Sequence, residues 1–154
     1  LEDARVERVL VIEKLSPVIR WHEDGLIPFG EQLTSDPRVQ FVEGDFFRMA
    51  DSTEGFDRSH AGQQFHAILL DIDHTPDFHL SAAHASFYQT TGLRRFASHL
   101  RPKGIFALWS NQPPDDDFLA RLRSVFSGAS AIEIPFHNPL QNREFIQSIY
   151  LAQG

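Results

Sequence analysis

Short apolar runs alternate with helix-like spacing along the whole chain. Arg8–Glu13 reads as a buried strand, since Val9-Leu10-Val11-Ile12 is uninterrupted and Glu13 closes it. Ser16-Pro17 supplies a cap and a first-turn proline for a helix through Val18, Ile19 and Trp21, which Gly25 can end. After the Asp36-Pro37 turn, Arg38–Glu43 predicts a second strand that gives way to Gly44-Asp45. The polar stretch from Ala50 to Gln64 reads as a loop within one domain rather than a linker between two. Phe65–Leu70 is the clearest strand, and Asp71-Ile72-Asp73 with a His-rich loop follows it. Thr91 can cap a helix that carries Leu93, Phe96 and Leu100 on one face. Arg101-Pro102-Lys103-Gly104 predicts a turn into the strand Ile105–Trp109. Asp115-Asp116-Asp117 put negative charge at the start of a helix, where the dipole favours it. Phe118, Leu122, Val125 and Phe126 form that helix's apolar stripe, and Gly128 ends it. Two last strands, Ala131–Phe136 and Glu144–Ala152, flank the turn-rich segment 137–143.

This order implies an α/β, Rossmann-like architecture: a mainly parallel sheet covered on both faces, with ligands beyond the carboxyl ends of its strands. A length of 154 residues suits a single domain spanning 1–154. Trp21, Phe41, Phe65, Phe96, Phe106, Phe118 and Phe126 read as core. The balance of 14 Lys+Arg against 21 Asp+Glu leaves a net charge of −7. That argues against a broad nucleic-acid surface and agrees with a small cationic ligand. No apolar run reaches the roughly 18–20 residues of a membrane span. With no cysteine there is no thiol chemistry, and this leans weakly towards the cytosol. Leu1–Arg5 has neither a signal-peptide pattern nor an initiator methionine, so the chain is expected to be a processed product or a fragment.

Three strands end in acids: Glu13, Asp45 and Asp71. Singly, each is as readily a turn residue or a helix cap. As an ordered set they can line one edge of a sheet. Glu13 would accept hydrogen bonds from two ribose hydroxyls, and Gly44-Asp45 would let backbone approach a purine while the carboxylate takes its exocyclic amine. Asp71 would stand near the reacting centre. Phe46 follows Asp45 and can pack on a purine, while Tyr88 and Trp109 can wall a substrate pocket.

The stretch from Val9 to the C-terminus resembles the spermidine synthase-like branch of the class I S-adenosylmethionine-dependent methyltransferase fold. The resemblance rests on Val9-Leu10-Val11-Ile12-Glu13, Asp36-Pro37-Arg38-Val39, Val42-Glu43-Gly44-Asp45, Ala67-Ile68-Leu69-Leu70-Asp71, Phe87-Tyr88 and Leu100-Arg101-Pro102-Lys103-Gly104. It implies that S-adenosylmethionine or its decarboxylated form is a co-substrate, that Glu13 binds its ribose, and that Gly44 and Asp45 bind its adenine. Asp71 would be the catalytic acid with Asp73 assisting, no metal would be needed, and the acceptor would be a small amine such as a polyamine. It also implies that the last two strands form an antiparallel pair. The pattern departs from the family in three places. The family's first strand and glycine-rich loop are missing, and that strand belongs between those ending at Glu13 and Asp71. The second acid of the Asp-Ser-Ser-Asp-Pro-like run comes early, as Asp73, and leaves His74 in its place at the substrate. Trp109-Ser110-Asn111 replaces a glutamine.

Other readings compete. Asp71-Ile72-Asp73-His74-Thr75 also fits the Asp-x-Asp-x-Thr motif of haloacid-dehalogenase-like phosphatases, although no later strand ends in the paired acids that hold their magnesium. His74, His79 and His84 lie near Asp71 and Asp73 in sequence, but at no compact metal-ligand spacing. Without the glycine-rich loop, the chain could instead be a non-catalytic binding or interaction module on the same scaffold. An exposed central strand edge would then favour a homodimer.

Overall fold

The computed structural model describes residues 1–154, which form two compact units, Leu1–Gln63 and Gln64–Gly154. The boundary falls at the end of the polar stretch that the sequence marks as a loop.

In the first unit, β1 (Val9–Glu13) lies parallel to β2 (Val39–Glu43), in a register that pairs Val9 with Val39 and Glu13 with Glu43. The crossover between them holds α1 (Ser16–Glu23) and α2 (Gly30–Ser35). Pro17 sits in the first turn of α1, where its missing N–H costs no hydrogen bond. Leu15 occupies the cap position in place of Ser16 and offers no side-chain bond. Gly25 lies just beyond the helix at φ 65°, a left-handed conformation that glycine adopts without strain. Trp21 is 48% exposed, contrary to its expected place in the core, while His22 turns inward and lies 4.9 Å from the ring of Phe41. A short α3 (Phe46–Asp51) follows β2 and buries Phe46, Phe47, Met49 and Ala50.

The second unit is a four-stranded sheet in the order β3-β4-β6-β5. β3 (Phe65–Leu70) is parallel to β4 (Leu100–Ser110), and β6 (Arg143–Gln153) is antiparallel to both β4 and β5 (Gly128–Asn138). The expected antiparallel C-terminal pair is therefore present, with both strands longer than the sequence marks. The sequence ends the fourth helix too late. In the structure α4 spans Thr90–Ala97, and Leu100 opens β4 opposite Phe65. Nor do Arg101–Gly104 form a turn ahead of a strand. They bulge out of β4, because the register jumps from Phe65↔Leu100 to Ala67↔Ile105, and Lys103 takes φ 66°.

α5 (Asp116–Arg123) begins at Asp115, whose carboxylate accepts the Phe118 N–H at 2.6 Å. It ends at Arg123, before Val125, Phe126 and Gly128. The core of this unit is aromatic. Phe96 of α4 meets Phe106 of β4 edge-on at 4.6 Å, and Phe118 of α5 meets Tyr150 of β6 at 5.0 Å. Parallel pairing thus holds within each unit, but the strands divide into two sheets rather than one. α4 and α5 both cover the side of the second sheet that carries Phe106 and Tyr150.

Candidate functional site

Two clusters sit at the carboxyl ends of parallel strands, one in each unit. In the first unit, the parallel register of β1 and β2 brings Glu13 and Gly44 together, and the Gly44 N–H donates to the Glu13 carbonyl at 3.0 Å. Glu13 Oε1 accepts the backbone N–H of Leu15 at 2.7 Å, which fixes the carboxylate. Its other oxygen keeps its full accepting capacity. Asp45 caps α3: Oδ1 accepts the N–H groups of Phe47 at 3.1 Å and Arg48 at 3.2 Å, while Oδ2 accepts Lys14 Nζ at 2.8 Å. The Lys14 ammonium holds the Asp45 carboxyl below its ordinary range; partial burial opposes this and the backbone donors reinforce it. Asp45 is therefore anionic and aimed by the turn. Lys14 is 65% exposed, and so open an ion pair is worth at most about 1 kcal/mol, so an incoming donor can displace it.

Gly44 serves packing as well as access. A Cβ there would come within 2.7 Å of Met49 Sδ, so the sulfur fills the space that a side chain would need. Phe46 is 7% exposed and stacks on Phe56 at 5.1 Å, so its ring belongs to the core of the first unit.

In the second unit, Asp71 follows β3 as an exposed carboxylate with no hydrogen-bonding partner. Asp73, expected to assist it, is in a different state. It is 4% exposed and accepts three donors: the Leu80 N–H at 2.7 Å, His84 Nδ1 at 2.9 Å and the Tyr88 hydroxyl at 3.0 Å. A carboxylate so saturated organises the loop from Asp71 to Tyr88 and has no lone pair placed for a substrate. The same finding removes the acid/base that the phosphatase reading requires. Tyr88, expected to line a pocket, is wholly buried, and burial followed by the Asp73 charge pushes its hydroxyl pKa far up.

His74 remains exposed at the strand end. Its ring stacks on Phe78 at 5.0 Å, and Asn111 holds it from two sides, by its N–H to the His74 carbonyl at 2.8 Å and by Nδ2 to His74 Nδ1 at 3.3 Å. Gln147 Nε2 extends the chain to Asn111 Oδ1 at 3.1 Å. Trp109, one strand residue before this rim, is half-buried beside Ile149 in the row that faces away from α4 and α5. No three His, Asp or Glu side chains gather in a way that could hold a metal ion.

The structure thus joins Glu13, Gly44 and Asp45 in one cluster, and His74 with Asn111 in another near Asp71. The sequence reading passed over Lys14, which follows Glu13 directly. It named Asn111 only within the run that replaces a glutamine, and His84 only as a metal-ligand candidate. Nothing local marks His84 as the partner of Asp73, because the two meet only through the fold of an eleven-residue loop.

No protein-family model and no curated protein sequence matches the chain. Solved structures do. Spermidine synthase from Thermotoga maritima superposes with a TM-score of 0.68 at 15% identity, over 99% of this chain and 47% of its own. The chain has the spermidine synthase fold. A spermidine synthase in complex with the transition-state analogue AdoDATO gives the same TM-score, over 99% of this chain and 48% of that one. Human methyltransferase-like protein 13 in complex with SAH, at 0.61 and 19% identity, places the same fold among the class I methyltransferases and covers 95% of this chain and 60% of its own. The chain spans about half the length of the spermidine synthases it matches. No helix is long and apolar enough to cross a membrane.

Proposed function

We propose that this chain binds an S-adenosylmethionine-type nucleoside through Glu13 and Asp45 and belongs to a transferase that moves an aminopropyl or methyl group to a small acceptor. The observation that carries the reading is the cluster of carboxylates at the ends of β1 and β2, where Glu13 keeps an open oxygen and Asp45 is aimed by three donors. Solved structures of the same fold with SAH and AdoDATO bound support the choice of ligand. A carboxylate accepts both hydroxyls of a ribose edge, and these charge-assisted bonds are the strong kind. The adenine amine would share Asp45 Oδ2 with Lys14 or displace it. Gly44 keeps the backbone close at the place where the purine edge would lie.

In the reaction, the nucleophile's nitrogen attacks the carbon beside the sulfonium. The carbon–sulfur bond breaks, and its electron pair returns to sulfur to leave a neutral thioether. Asp71 takes the proton released from the amine, directly or through water. Holding nucleophile and electrophile in line supplies several kcal/mol of the barrier. His74 and Asn111 form the polar rim that meets the acceptor, and neither metal nor nucleic acid takes part. A second reading, a non-catalytic binding module on the same scaffold, draws its support from Asp73, which the fold has turned into an internal hydrogen-bond hub.

Calorimetric titration with S-adenosylmethionine, its decarboxylated form and the corresponding thioether products tests both readings. The transferase reading expects saturable binding, and Asp71→Asn protein that keeps binding but loses transfer. Binding without transfer in the unaltered protein supports the module, and absence of any nucleoside binding overturns both.

A further inference from the structure

Three strands of the second unit converge on one imidazole. His74 lies in the loop after β3, Asn111 directly after β4, and Gln147 within β6, next to the Ser148 that pairs with Ser110. Two anchors hold Asn111 in place. Its backbone N–H donates to the His74 carbonyl at 2.8 Å, and the carbonyl of its neighbour Gln112 accepts the hydroxyl of the fully buried Ser148 at 2.8 Å. From there a one-way relay of amides runs to the ring. Gln147 Nε2 donates to Asn111 Oδ1 at 3.1 Å, and Asn111 Nδ2 donates to His74 Nδ1 at 3.3 Å. Phe78 covers one face of the ring at 5.0 Å and is itself pinned, its N–H donating to Thr75 Oγ1 at 2.9 Å. A ring nitrogen that accepts carries no proton, so the relay sets a neutral imidazole with its hydrogen on Nε2. Nε2 has no partner within the chain, and the ring is exposed. His74 thus offers a ligand one donor and no acceptor.

We propose that His74, held in this tautomer by Asn111 and Gln147, selects the acceptor: an amine whose far end carries a hydrogen-bond-accepting oxygen, in preference to a diamine. This rests on the transferase reading and narrows its acceptor. A second ammonium has donors only, and so has this ring, so the two cannot bond. The acids of the loop 71–80 offer that ammonium no counter-charge either. Asp71 is engaged by the nucleophile, Asp73 is saturated by buried donors, and Asp77 lies 3.4 Å from Arg121. A hydroxyl, carbonyl or carboxylate oxygen accepts the Nε2–H directly. One such bond at a half-open rim corresponds to a preference of roughly five- to tenfold.

Asn111 and Gln147 are positioning residues in this scheme, since they act through the ring. Replacing Asn111 by Asp turns the donor at Nδ1 into an acceptor. The ring hydrogen then moves to Nδ1, and Nε2 becomes an acceptor that an ammonium can meet. The same change therefore reverses both the tautomer and the choice of acceptor. His74→Phe keeps a ring to stack on Phe78 but has no hydrogen to donate.

Two measurements on the full chain test the proposal together. Nitrogen NMR of the His74 imidazole in mildly alkaline solution, with no nucleoside present, reads the tautomer. The expected result is hydrogen on Nε2 in the parent and on Nδ1 in Asn111→Asp protein. Transfer assays with an S-adenosylmethionine-type donor then compare amino alcohols with diamines of the same chain length, over several lengths. The parent is expected to favour the amino alcohol roughly five- to tenfold in kcat/KM, Asn111→Asp to favour the diamine, and His74→Phe to lose the preference. Hydrogen on Nδ1 in the parent, an unchanged tautomer in Asn111→Asp, or a parent that transfers but favours the diamine would each overturn the proposal. A parent with hydrogen on Nε2 that transfers to no acceptor would instead overturn the transferase reading, and the selection of an acceptor with it.

Discussion

Asp57 has the most strongly shifted of the buried carboxyl groups. It is 3% exposed and receives Arg8 at 2.6 Å, His60 Nδ1 at 2.9 Å and the Ser59 N–H at 2.9 Å. Burial alone would raise its pKa, but these donors outweigh it and hold the carboxyl at about 2. A group with a lowered pKa stabilises the folded state above its unfolded value of about 3.9 and loses that contribution as pH falls towards 2. The shift corresponds to roughly 2 kcal/mol. Asp57→Asn is therefore expected to lower urea-unfolding stability by about that much at pH 7. The gap to the parent should shrink steadily between pH 4 and pH 2; a gap independent of pH would contradict this origin. At this scale the sequence told little about the acids, because an Asp after a strand has the same sequence signature whether it binds a ligand, caps a helix or anchors a loop. Asp45 is a cap and an ion-pair partner as well as a candidate ligand group, Asp73 is an anchor, and Asp71 alone stands free.

β1 and β3 were legible as elements because the apolar runs Val9–Ile12 and Ala67–Leu70 have strand length rather than helix length. α3 was not, since six residues hold too few turns for a period to show and its cap, Asp45, drew the eye as a ligand. Leu100 seemed to continue the stripe of Leu93 and Phe96, but the backbone leaves the helix after Ala97 to pair with β3. The loop from Asp71 to Tyr88 is the element whose order depends most on one residue. Asp73→Ala would strand the buried His84 and Tyr88 donors and leave the Leu80 N–H without its acceptor, a loss of about 3–5 kcal/mol. The thermal midpoint should fall by more than about ten degrees, given roughly 4–8 °C per kcal/mol in a unit of this size. Conservative Tyr88→Phe removes one donor and should cost about 1 kcal/mol. An unchanged midpoint in Asp73→Ala protein, with transfer activity abolished, would return Asp73 to a catalytic role.

The class of architecture was readable for the whole molecule, down to the antiparallel end of the chain, because strand–helix alternation admits few topologies. The division into two sheets was not readable. Which strands pair leaves no mark in their composition, so an alternation of strands and helices reads as one sheet where the structure has a two-stranded and a four-stranded one. β1, β2 and β3 are the strands on which the sequence and the structure agree most closely. Glu13 and Asp45 carry the functional reading there, and a crystal structure of the protein with a bound thioether nucleoside is its most direct test. The expected result is the ribose hydroxyls on the Glu13 carboxylate and the adenine amine on Asp45 Oδ2, with Lys14 swung away. A nucleoside bound away from the carboxyl ends of β1 and β2, with the Lys14–Asp45 pair intact, would contradict it.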